Sequence, residues 1–393
     1  MNKLAYILMF VCACGVANAQ IRYQKFYDNA RQHAAVEGNM TDDSVRVGQW
    51  TWWHPNGKVY QQGSYDARGN KIGEWRVFYE NGAKCAVECY ADGTSREWYS
   101  NGKLKSEVAV AHGKKNGVYK SWHANGKQKE EIPFVNGVKE GKTREWHENG
   151  RLKFEGEYSN NELNGTGKWW TDKGKVDMEG SLVDGNQEGE WLFYWRTNGK
   201  LGIKGNYKNG VESGVWTYFY ETGEKWREGS YVNGEKRGKW TTWYESGKKL
   251  HEGEYKANKE DGVWTAWYED GRVDYSGSFK AGLKNGEWKG FYDDGRVRYV
   301  MHYVNDEKDG EEIRYFANGK VETVTNYRDG VWHGKYERYN SAGKPEETGS
   351  FVNGEKDGKW IMYDEYGKEA NVATFKNGKM VSQVRNQTSK KRN

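Results

Sequence analysis

One phrase of about 24 residues recurs along most of the chain and constrains the fold more than any other feature. Residues 238–261 read GKWTTWYESGKKLHEGEYKANKED, and the same order of residue types begins again at Gly262. Ser246 and Gly247 lie between two runs rich in aromatic and β-favouring residues, which predicts a β-hairpin with a two-residue turn. Fourteen such repeats, each opened by a glycine, fill residues 48–381.

The turn also predicts which residues face each other across the hairpin. Counting outward from it gives four pairs: Glu245 with Lys248, Trp243 with Leu250, Thr242 with His251, and Trp240 with Gly253. An aromatic ring over a glycine covers backbone that has no side chain of its own, so we expect this last pair to fasten each hairpin. The same aromatic–glycine pairing recurs in Trp50 with Gly63, Trp216 with Gly229, Trp264 with Gly277, and Tyr336 with Gly349.

Composition favours a repeat array over a globular core. The chain has 20 Trp, 28 Tyr and 12 Phe, few aliphatic residues, and a mean hydropathy of −1.09. Apolar burial must therefore come from rings that are spread evenly along the sequence. We expect an all-β fold, namely an elongated single-layer antiparallel sheet of about 14 stacked hairpins that forms an open β-solenoid or half-pipe. At about 4.8 Å per strand it would be roughly 130 Å long.

The ends of the chain differ from the repeats. Residues 1–19 have the pattern of a signal peptide, with Lys3 before an apolar stretch and Ala17-Asn18-Ala19 as the cleavage site. We therefore expect export to the periplasm, the cell surface or the medium. Residues 20–47 are predicted to be a cap and linker with a short helix, and residues 382–393 a disordered basic tail.

The recurrent phrase resembles the MORN repeat in its bacterial variant form. The pattern E-Y-x-N-G-x-x-x-G-x-W-x-x-W/Y-Y-x-x-G-K stands, with Asn or Ser before the first Tyr, in residues 205–225 and 229–248. The resemblance implies an open, twisted sheet of stacked hairpins that acts as a scaffold, a protein-binding surface or a membrane-associated module. Bacterial relatives of this kind carry the label of YwqK-type antitoxins. The family offers no catalytic residues and no cofactor.

The histidines do not predict an enzyme. His54, His123 and His147 occupy the repeat position that Tyr244 holds in the organising phrase. We interpret them as tyrosine replacements on the sheet rather than as zinc ligands, because further ligands are not evident near them in the sequence. The net charge of +5 is spread along the chain, so we expect no nucleic-acid partner.

Candidate binding residues follow the turn glycines as a column of cations. These are Lys127, Arg151, Lys175, Lys248, Arg272 and Arg296. Trp243 and Trp267 are expected to add an accessible aromatic ribbon. We expect a protein partner or self-association. The alternative is an anionic lipid or a cell-envelope polymer bound by the basic columns.

Residues 73–116 are the least regular part of the array. Ser95 stands where a tryptophan belongs, and Glu88 where a glycine belongs; further along, Glu312 also occupies a tryptophan position. Such departures indicate either a binding site or drift in a tolerant array. Cys85 and Cys89 lie here, and they are too far apart on a straight strand for a disulfide. They are therefore either free thiols or, if the strand bends sharply, a disulfide.

Overall fold

The computed structural model describes residues 20–28 and 30–385, which divide between two compact units, residues 1–175 and 176–393. The predicted signal peptide and residues 386–393 lie outside the described residues. Regular structure in the described residues consists of β-strands, and they contain no helix. In each unit, consecutive strands pair antiparallel in an open sheet, which confirms the predicted fold class.

The N-terminal unit contains fifteen described strands. They are β1 (Ile21–Phe26), β2 (Ala34–Met40), β3 (Arg46–Trp53), β4 (Val59–Tyr65), β5 (Lys71–Phe78), β6 (Lys84–Cys89), β7 (Gly93–Trp98), β8 (Leu104–Ala111), β9 (Lys114–Lys115), β10 (Gly117–Trp122), β11 (Gln128–Val135), β12 (Val138–Lys139), β13 (Gly141–Trp146), β14 (Leu152–Ser159) and β15 (Glu162–Trp170).

The C-terminal unit contains nineteen described strands. They are β16 (Val176–Val183), β17 (Asn186–Tyr194), β18 (Leu201–Lys208), β19 (Val211–Phe219), β20 (Lys225–Val232), β21 (Glu235–Trp243), β22 (Lys249–Lys256), β23 (Lys259–Trp267), β24 (Val273–Lys280), β25 (Leu283–Phe291), β26 (Val297–Val304), β27 (Glu307–Lys308), β28 (Gly310–Tyr315), β29 (Val321–Arg328), β30 (Val331–Tyr339), β31 (Pro345–Val352), β32 (Glu355–Tyr363), β33 (Glu369–Lys376) and β34 (Lys379–Arg385).

The turn at Ser246-Gly247 has three loop residues, so the predicted two-residue turn is wrong. The Tyr244 amide donates to the Lys248 carbonyl at 2.8 Å, and the Gly247 amide donates back to the Tyr244 carbonyl at 2.9 Å. Gly247 has a φ of 81°, as in a type I turn followed by a glycine bulge. Glu245 therefore lies inside the loop and does not face Lys248.

A second irregularity in the same hairpin restores the predicted register. Trp243 pairs with Lys249 and not with Leu250, because a β-bulge makes Leu250 an extra residue in its strand. The three-residue loop shifts the pairing by one residue from that predicted for a two-residue turn, and the bulge at Leu250 shifts it back. Beyond the bulge, Trp240 pairs with Gly253 as predicted. The same pairing is confirmed for Trp50 with Gly63, Trp216 with Gly229, Trp264 with Gly277, and Tyr336 with Gly349.

The opposite edge of the sheet carries a different kind of loop. Asn233 and Gly234 connect β20 to β21 with φ values of 52° and 76°. Positive φ at both loop residues is the geometry of a type I′ turn, whose twist matches that of the flanking strands. β21 is thus joined to one neighbour by a two-residue turn and to the other by a three-residue turn.

The indole of Trp264 does not cover the glycine that it faces across the three-residue hairpin. A Cβ atom added to Gly253 would lie 2.1 Å from Cδ2 of Trp264, although the register partner of Trp264 is Gly277. The ring therefore covers the glycine of the preceding strand, which the two-residue turn connects. This corrects the prediction that the aromatic–glycine pair fastens the three-residue hairpin.

Eight tryptophans share this arrangement, and each is at most 7% exposed. The glycine–tryptophan pairs are Gly38–Trp50, Gly63–Trp75, Gly180–Trp191, Gly205–Trp216, Gly229–Trp240, Gly253–Trp264, Gly277–Trp288 and Gly349–Trp360. The buried core of each unit is therefore a row of indoles, each lying flat on bare backbone. We call the side of the sheet that carries them the tryptophan face.

Where Glu312 and Tyr336 replace the tryptophan, the glycine before it is replaced as well. Glu312 follows Met301, and Tyr336 follows Thr325, at the spacing that elsewhere separates the paired glycine and tryptophan. Met301 is itself buried, at 7% exposure. A side chain on the first strand thus fills the volume that an indole occupies in the regular repeats.

Both predictions for the ends of the array need correction. Residues 20–47 contain β1 and β2 rather than a helix, because Gly38 in β2 provides the backbone that Trp50 covers. The aromatic spacing that suggested a helix instead places Tyr23 5.7 Å from the Trp50 ring. At the other end, residues 382–385 belong to β34 and are not part of a disordered tail.

The two cysteines of the irregular patch are free thiols. Cys85 is half-buried and Cys89 is buried, and both lie on β6. The alternative of a disulfide between them is thus not what the structure contains. Ser95, at a tryptophan position, instead accepts a hydrogen bond from the Cys89 amide at 2.9 Å.

Candidate functional site

The three-residue turns are tied to one another by side chains. The Tyr244 hydroxyl donates to the Trp267 carbonyl of the next repeat at 2.9 Å. In the N-terminal unit, the Asn125 side chain donates to the Glu148 carbonyl at 2.7 Å, and Lys127 donates to the Asn149 carbonyl at the same distance. Each turn thus satisfies carbonyl groups of the turn that follows it.

The histidines at the tyrosine position make the same contact, which confirms their interpretation as tyrosine replacements. Nε2 of His123 lies 2.9 Å from the Trp146 carbonyl, and Nε2 of His147 lies 2.8 Å from the Trp170 carbonyl. His54 contacts the Phe78 carbonyl at 3.0 Å. Within residues 20–28 and 30–385, no three His, Cys, Asp or Glu side chains are placed to hold a metal ion.

The cations predicted to bind a partner lie mostly within this network of turns. Lys127 and Arg151 donate to carbonyl groups of the next turn. Arg272 and Arg296 form ion pairs within their own turns, to Asp270 at 2.7 Å and Asp294 at 2.6 Å. Lys175 is half-buried and Lys248 is exposed, and the backbone carbonyl of each closes its own turn.

The predicted aromatic ribbon lies on the face opposite to the buried indoles. Trp243 and Trp267 are half-buried, and they lie beneath the ammonium groups of Lys225 and Lys249 at 5.7 and 5.4 Å. The structure therefore does not gather Trp243, Trp267 and the turn cations into one site.

A different set of departures from the repeat meets in the C-terminal unit and forms a groove on the tryptophan face. Arg227, His251 and Tyr275 stand two residues before successive covered glycines, where the preceding repeat has Ile203. Ala266 takes the position that the bulky Tyr218 fills two repeats earlier. At this position, β21 and β23 carry the small side chains of Thr242 and Ala266. The strands beside them carry the large residues Arg227, His251 and Tyr275, and the groove opens over the small side chains.

Register places these residues in one row across neighbouring strands. Arg227 pairs with Thr242, Thr242 with His251, His251 with Ala266, and Ala266 with Tyr275. The resulting groove has a volume of about 460 Å³. We call it the Arg227 groove.

Apolar side chains form part of the wall of the groove. Trp226 and Leu250 are the extra residues of the bulges in β20 and β22, and both line the groove. The next two repeats have Asp274 and Arg298 at this bulge position. Trp226 is 42% exposed, an unusual amount for so large an apolar side chain.

Positive charge is concentrated at one end of the groove. The Arg227 guanidinium lies 4.6 Å from the centre of the Trp240 ring, and the Lys236 ammonium lies 5.1 Å from the same ring. Arg227 donates to the Tyr255 hydroxyl at 3.4 Å, and that hydroxyl donates to Glu260 at 3.2 Å. Two cations and one carboxylate therefore share this end, which leaves a net positive charge.

Three buried polar atoms around the groove lack a hydrogen-bond partner in the described part of the chain. They are Nε of Arg227, Nε1 of Trp240 and Nδ1 of His251. Trp240 is the exception among the eight buried indoles, since the other seven donate to the carbonyl of the residue after the covered glycine. Trp264, for example, donates to the Glu254 carbonyl at 3.2 Å. Unpaired buried polar atoms are costly, so their concentration here points to a ligand-binding site.

The surroundings also change the basicity of two of these groups. Burial lowers the pKa of His251, and the nearby charge of Arg227 lowers it further. Burial likewise lowers the pKa of Lys236, and Arg227 adds to this effect while Glu260 opposes it. Arg227 therefore destabilises additional positive charge around it, and a bound anion would relieve that repulsion.

The Arg227 groove was not predicted from the sequence. The departures interpreted above lie at the tryptophan and glycine positions, whereas the groove arises from departures two residues away from them. The signal was nevertheless present, because Arg227 and His251 are charged or titratable residues at a position that holds Ile203 in the preceding repeat.

The fold and the recurrent phrase define an all-β repeat protein built from antiparallel hairpins. The chain belongs to the MORN repeat variant family. The family model matches nine segments: residues 46–67, 91–109, 115–136, 139–160, 212–233, 236–257, 284–305, 308–329 and 332–353. No curated protein matches the sequence. The described residues include no helix long and apolar enough to cross a bilayer.

Several solved structures share a likeness with this chain. A crystal structure of TcdB2-TccC3-Cdc42 has 11% sequence identity over 92% of this chain and 24% of that chain, with a TM-score of 0.16. A structure of the Photorhabdus luminescens Tc holotoxin pore has 12% identity over 87% of this chain and 22% of that chain, with a TM-score of 0.15. The chain thus spans about a quarter of those chains.

Proposed function

We propose that this protein is an exported, non-enzymatic binding protein whose tryptophan face holds an extended segment of a protein partner. The observation that carries the proposal is the Arg227 groove, which combines exposed apolar walls with unpaired polar atoms. Stable protein interfaces use such aromatic and arginine anchors at their centre. Export rests on the sequence pattern of residues 1–19.

The alternative partner, an anionic lipid or envelope polymer bound by the basic columns, has weaker support. Lys127 and Arg151 already donate to turn carbonyl groups, and Arg272 and Arg296 already pair with aspartates. A polymer would have to compete with these contacts. The antitoxin role implied by the resemblance likewise stays a proposal, and it would require a toxin as the protein partner.

Affinity capture with the mature protein tests the proposed function. The protein without residues 1–19 is immobilised and exposed to the envelope fraction of its own source, and any captured protein is purified and titrated back. We expect a defined partner that binds at fixed stoichiometry. A monomer that retains no protein, but sediments with anionic vesicles in a salt-dependent way, would contradict the proposal in favour of the lipid alternative.

A variant that fills the groove is the matched control. Thr242→Tyr introduces the residue that Tyr218 already provides one repeat earlier, so the fold has room for it in principle. We expect it to fold normally and to lose most of the captured partner. The same substitution at Thr217, on the opposite face of the sheet, tests whether the loss is specific to the tryptophan face.

A further inference from the structure

We propose that the Arg227 groove recognises an acidic side chain flanked by apolar residues in an extended peptide segment, with the carboxylate between Arg227 and His251. This inference rests on the proposed function and gives the chemistry of its partner. The carboxylate would lie over Thr242, whose register partners are Arg227 on one side and His251 on the other.

The unpaired atoms of the groove fit a carboxylate ligand. Nε of Arg227 is a donor in every state, and His251 becomes a donor at both ring nitrogens when it is protonated. An incoming pair of carboxylate oxygens supplies acceptors for these donors, and charge-assisted hydrogen bonds are the strongest that such a site can form.

The walls of the groove favour a peptide over an acidic sugar. Leu250 and Trp226 lie beside the row that contains Arg227 and His251, and an aliphatic side chain such as Leu250 packs best against another apolar group. Phe279 and Trp264 add apolar surface further along. In an extended peptide, an acidic residue with apolar neighbours places its carboxylate next to apolar side chains. This arrangement matches the groove, where Arg227 and His251 lie next to Leu250 and Trp226.

Other groups near His251 set the expected pH response. Arg227 on β20 opposes its protonation, and Lys236 on β21 and Glu260 on β23 are the other charged groups at this end of the groove. Tyr255 on β22 and Tyr275 on β24 are neutral near pH 7 and complete the set of titratable groups around the groove. A bound carboxylate adds negative charge here, so it raises the pKa of His251 and binds more tightly as the pH falls towards that pKa.

The test uses two blocked pentapeptides and the full mature chain. One probe is acetyl-Gly-Leu-Glu-Leu-Gly-amide, and the other has glutamine in place of glutamate. Binding is measured by calorimetry, and the titration of His251 is followed by NMR of histidine-labelled protein, with His251→Gln to identify its signal. We expect the glutamate peptide to bind at least about ten-fold more tightly and to raise the His251 midpoint by about one pH unit.

Arg227→Ile is the decisive variant, because Ile203 shows that the repeat accommodates isoleucine at this position. We expect this variant to bind the two peptides equally. Arg338→Ile is the control. Arg338 lies outside the groove, at the repeat position that Thr242 holds four repeats earlier, so this variant should keep the preference for glutamate. Circular dichroism confirms that both variants are folded.

Three results would overturn the inference. They are equal affinity of the wild-type protein for both peptides, unchanged preference in Arg227→Ile, and tighter binding of a galacturonate tetramer than of the glutamate peptide. None of them would by itself refute the broader proposed function, because the captured partner can still be titrated against the groove-filled protein. Failure of the broader proposal would instead appear as a mature protein that captures no partner at all.

Discussion

At the scale of single residues, a missing side chain decides where each indole lies. Gly253 has no Cβ, and a Cβ there would overlap the ring of Trp264 at 2.1 Å. The ring therefore packs flat on the strand and donates from Nε1 to the carbonyl of Glu254. The tryptophan thereby combines close packing with a satisfied hydrogen bond.

Gly253→Ala should destabilise the protein by about 2–3 kcal/mol, because the methyl group forces the Trp264 ring off the strand. The measurement is urea unfolding followed by fluorescence. Ala373→Gly is the control at the equivalent position, where the following strand carries Val384 in place of a tryptophan, and it should change stability little.

A double-mutant cycle identifies which ring meets the methyl group. In a Trp264→Ala background, Gly253→Ala should cost much less than in the wild type, since its clash is gone. In a Trp240→Ala background the cost should remain. Rescue by Trp240→Ala instead would mean that the ring covers its register partner after all.

A buried carboxylate replaces an indole at Glu312. The side chain is 2% exposed and pairs with Lys308 at 2.8 Å and Arg314 at 2.7 Å. Burial alone would raise the pKa of Glu312, but hydrogen bonds from Lys308 and Tyr327 and the two positive charges outweigh it, so the pKa lies below its ordinary 4.5. The charged form therefore stabilises the fold above about pH 4.5, and this contribution is lost as the pH falls through the lower folded pKa.

Glu312→Gln should destabilise the protein by about 2–4 kcal/mol near pH 7, because it leaves the two cations without their carboxylate. As the pH falls below about 4.5 the difference from the wild type should shrink, since the unfolded wild-type carboxyl group takes up a proton while the folded one stays charged. Urea midpoints measured across this range test the prediction. Glu245→Gln, in an exposed turn, should show no such pH dependence; a constant difference for Glu312→Gln would contradict the assigned role of the charge.

At the scale of the elements, two deviations from the ideal hairpin cancel. The three-residue turn after Tyr244 moves the pairing by one position, and the bulge at Leu250 moves it back. The sequence count therefore predicted the pairing of Trp240 with Gly253 although it had the wrong turn. It failed between the turn and the bulge, where Trp243 faces Lys249.

The covering of glycines could have been predicted from the sequence by a different comparison. Across the three-residue turn, Trp288 faces Met301 and Trp75 faces Glu88, so the partner on that side is not always a glycine. By contrast, each of the eight buried tryptophans follows a glycine by 11 or 12 residues. The Arg227 groove could not be predicted in this way, because the direction of Trp226 depends on a bulge that the residue pattern does not reveal.

The position of a chain break should reveal which hairpin is the stable element. A break between Glu221 and Thr222 separates β19 from β20 and leaves every indole with its glycine. A break between Asn209 and Gly210 parts Trp216 from Gly205 and should cost the C-terminal fragment about 3–5 kcal/mol of packing. We expect residues 222–393 to unfold cooperatively, and residues 210–393 to show additional red-shifted emission from the uncovered Trp216. Equal behaviour of both fragments would contradict this assignment.

At the scale of the whole molecule, stability is distributed among neighbours. In each unit, strands contact mainly the strands next to them in sequence, so interactions between adjacent strands dominate the free energy of unfolding. Substitutions in repeats far apart should therefore be additive, whereas Glu312 and Met301, in adjacent strands, should be coupled.

Because each of the six buried indoles from Trp191 onwards lies in one hairpin with the glycine beneath it, joined by a two-residue loop, that hairpin is a self-contained cassette. Unequal recombination at the three-residue turns could add or delete one cassette without exposing a ring or leaving a gap. Copy number is then free to vary in evolution while the packing of every remaining copy is inherited intact. A recognition feature confined to a few cassettes, such as the one around Arg227, can accordingly be gained or lost without cost to the rest of the chain.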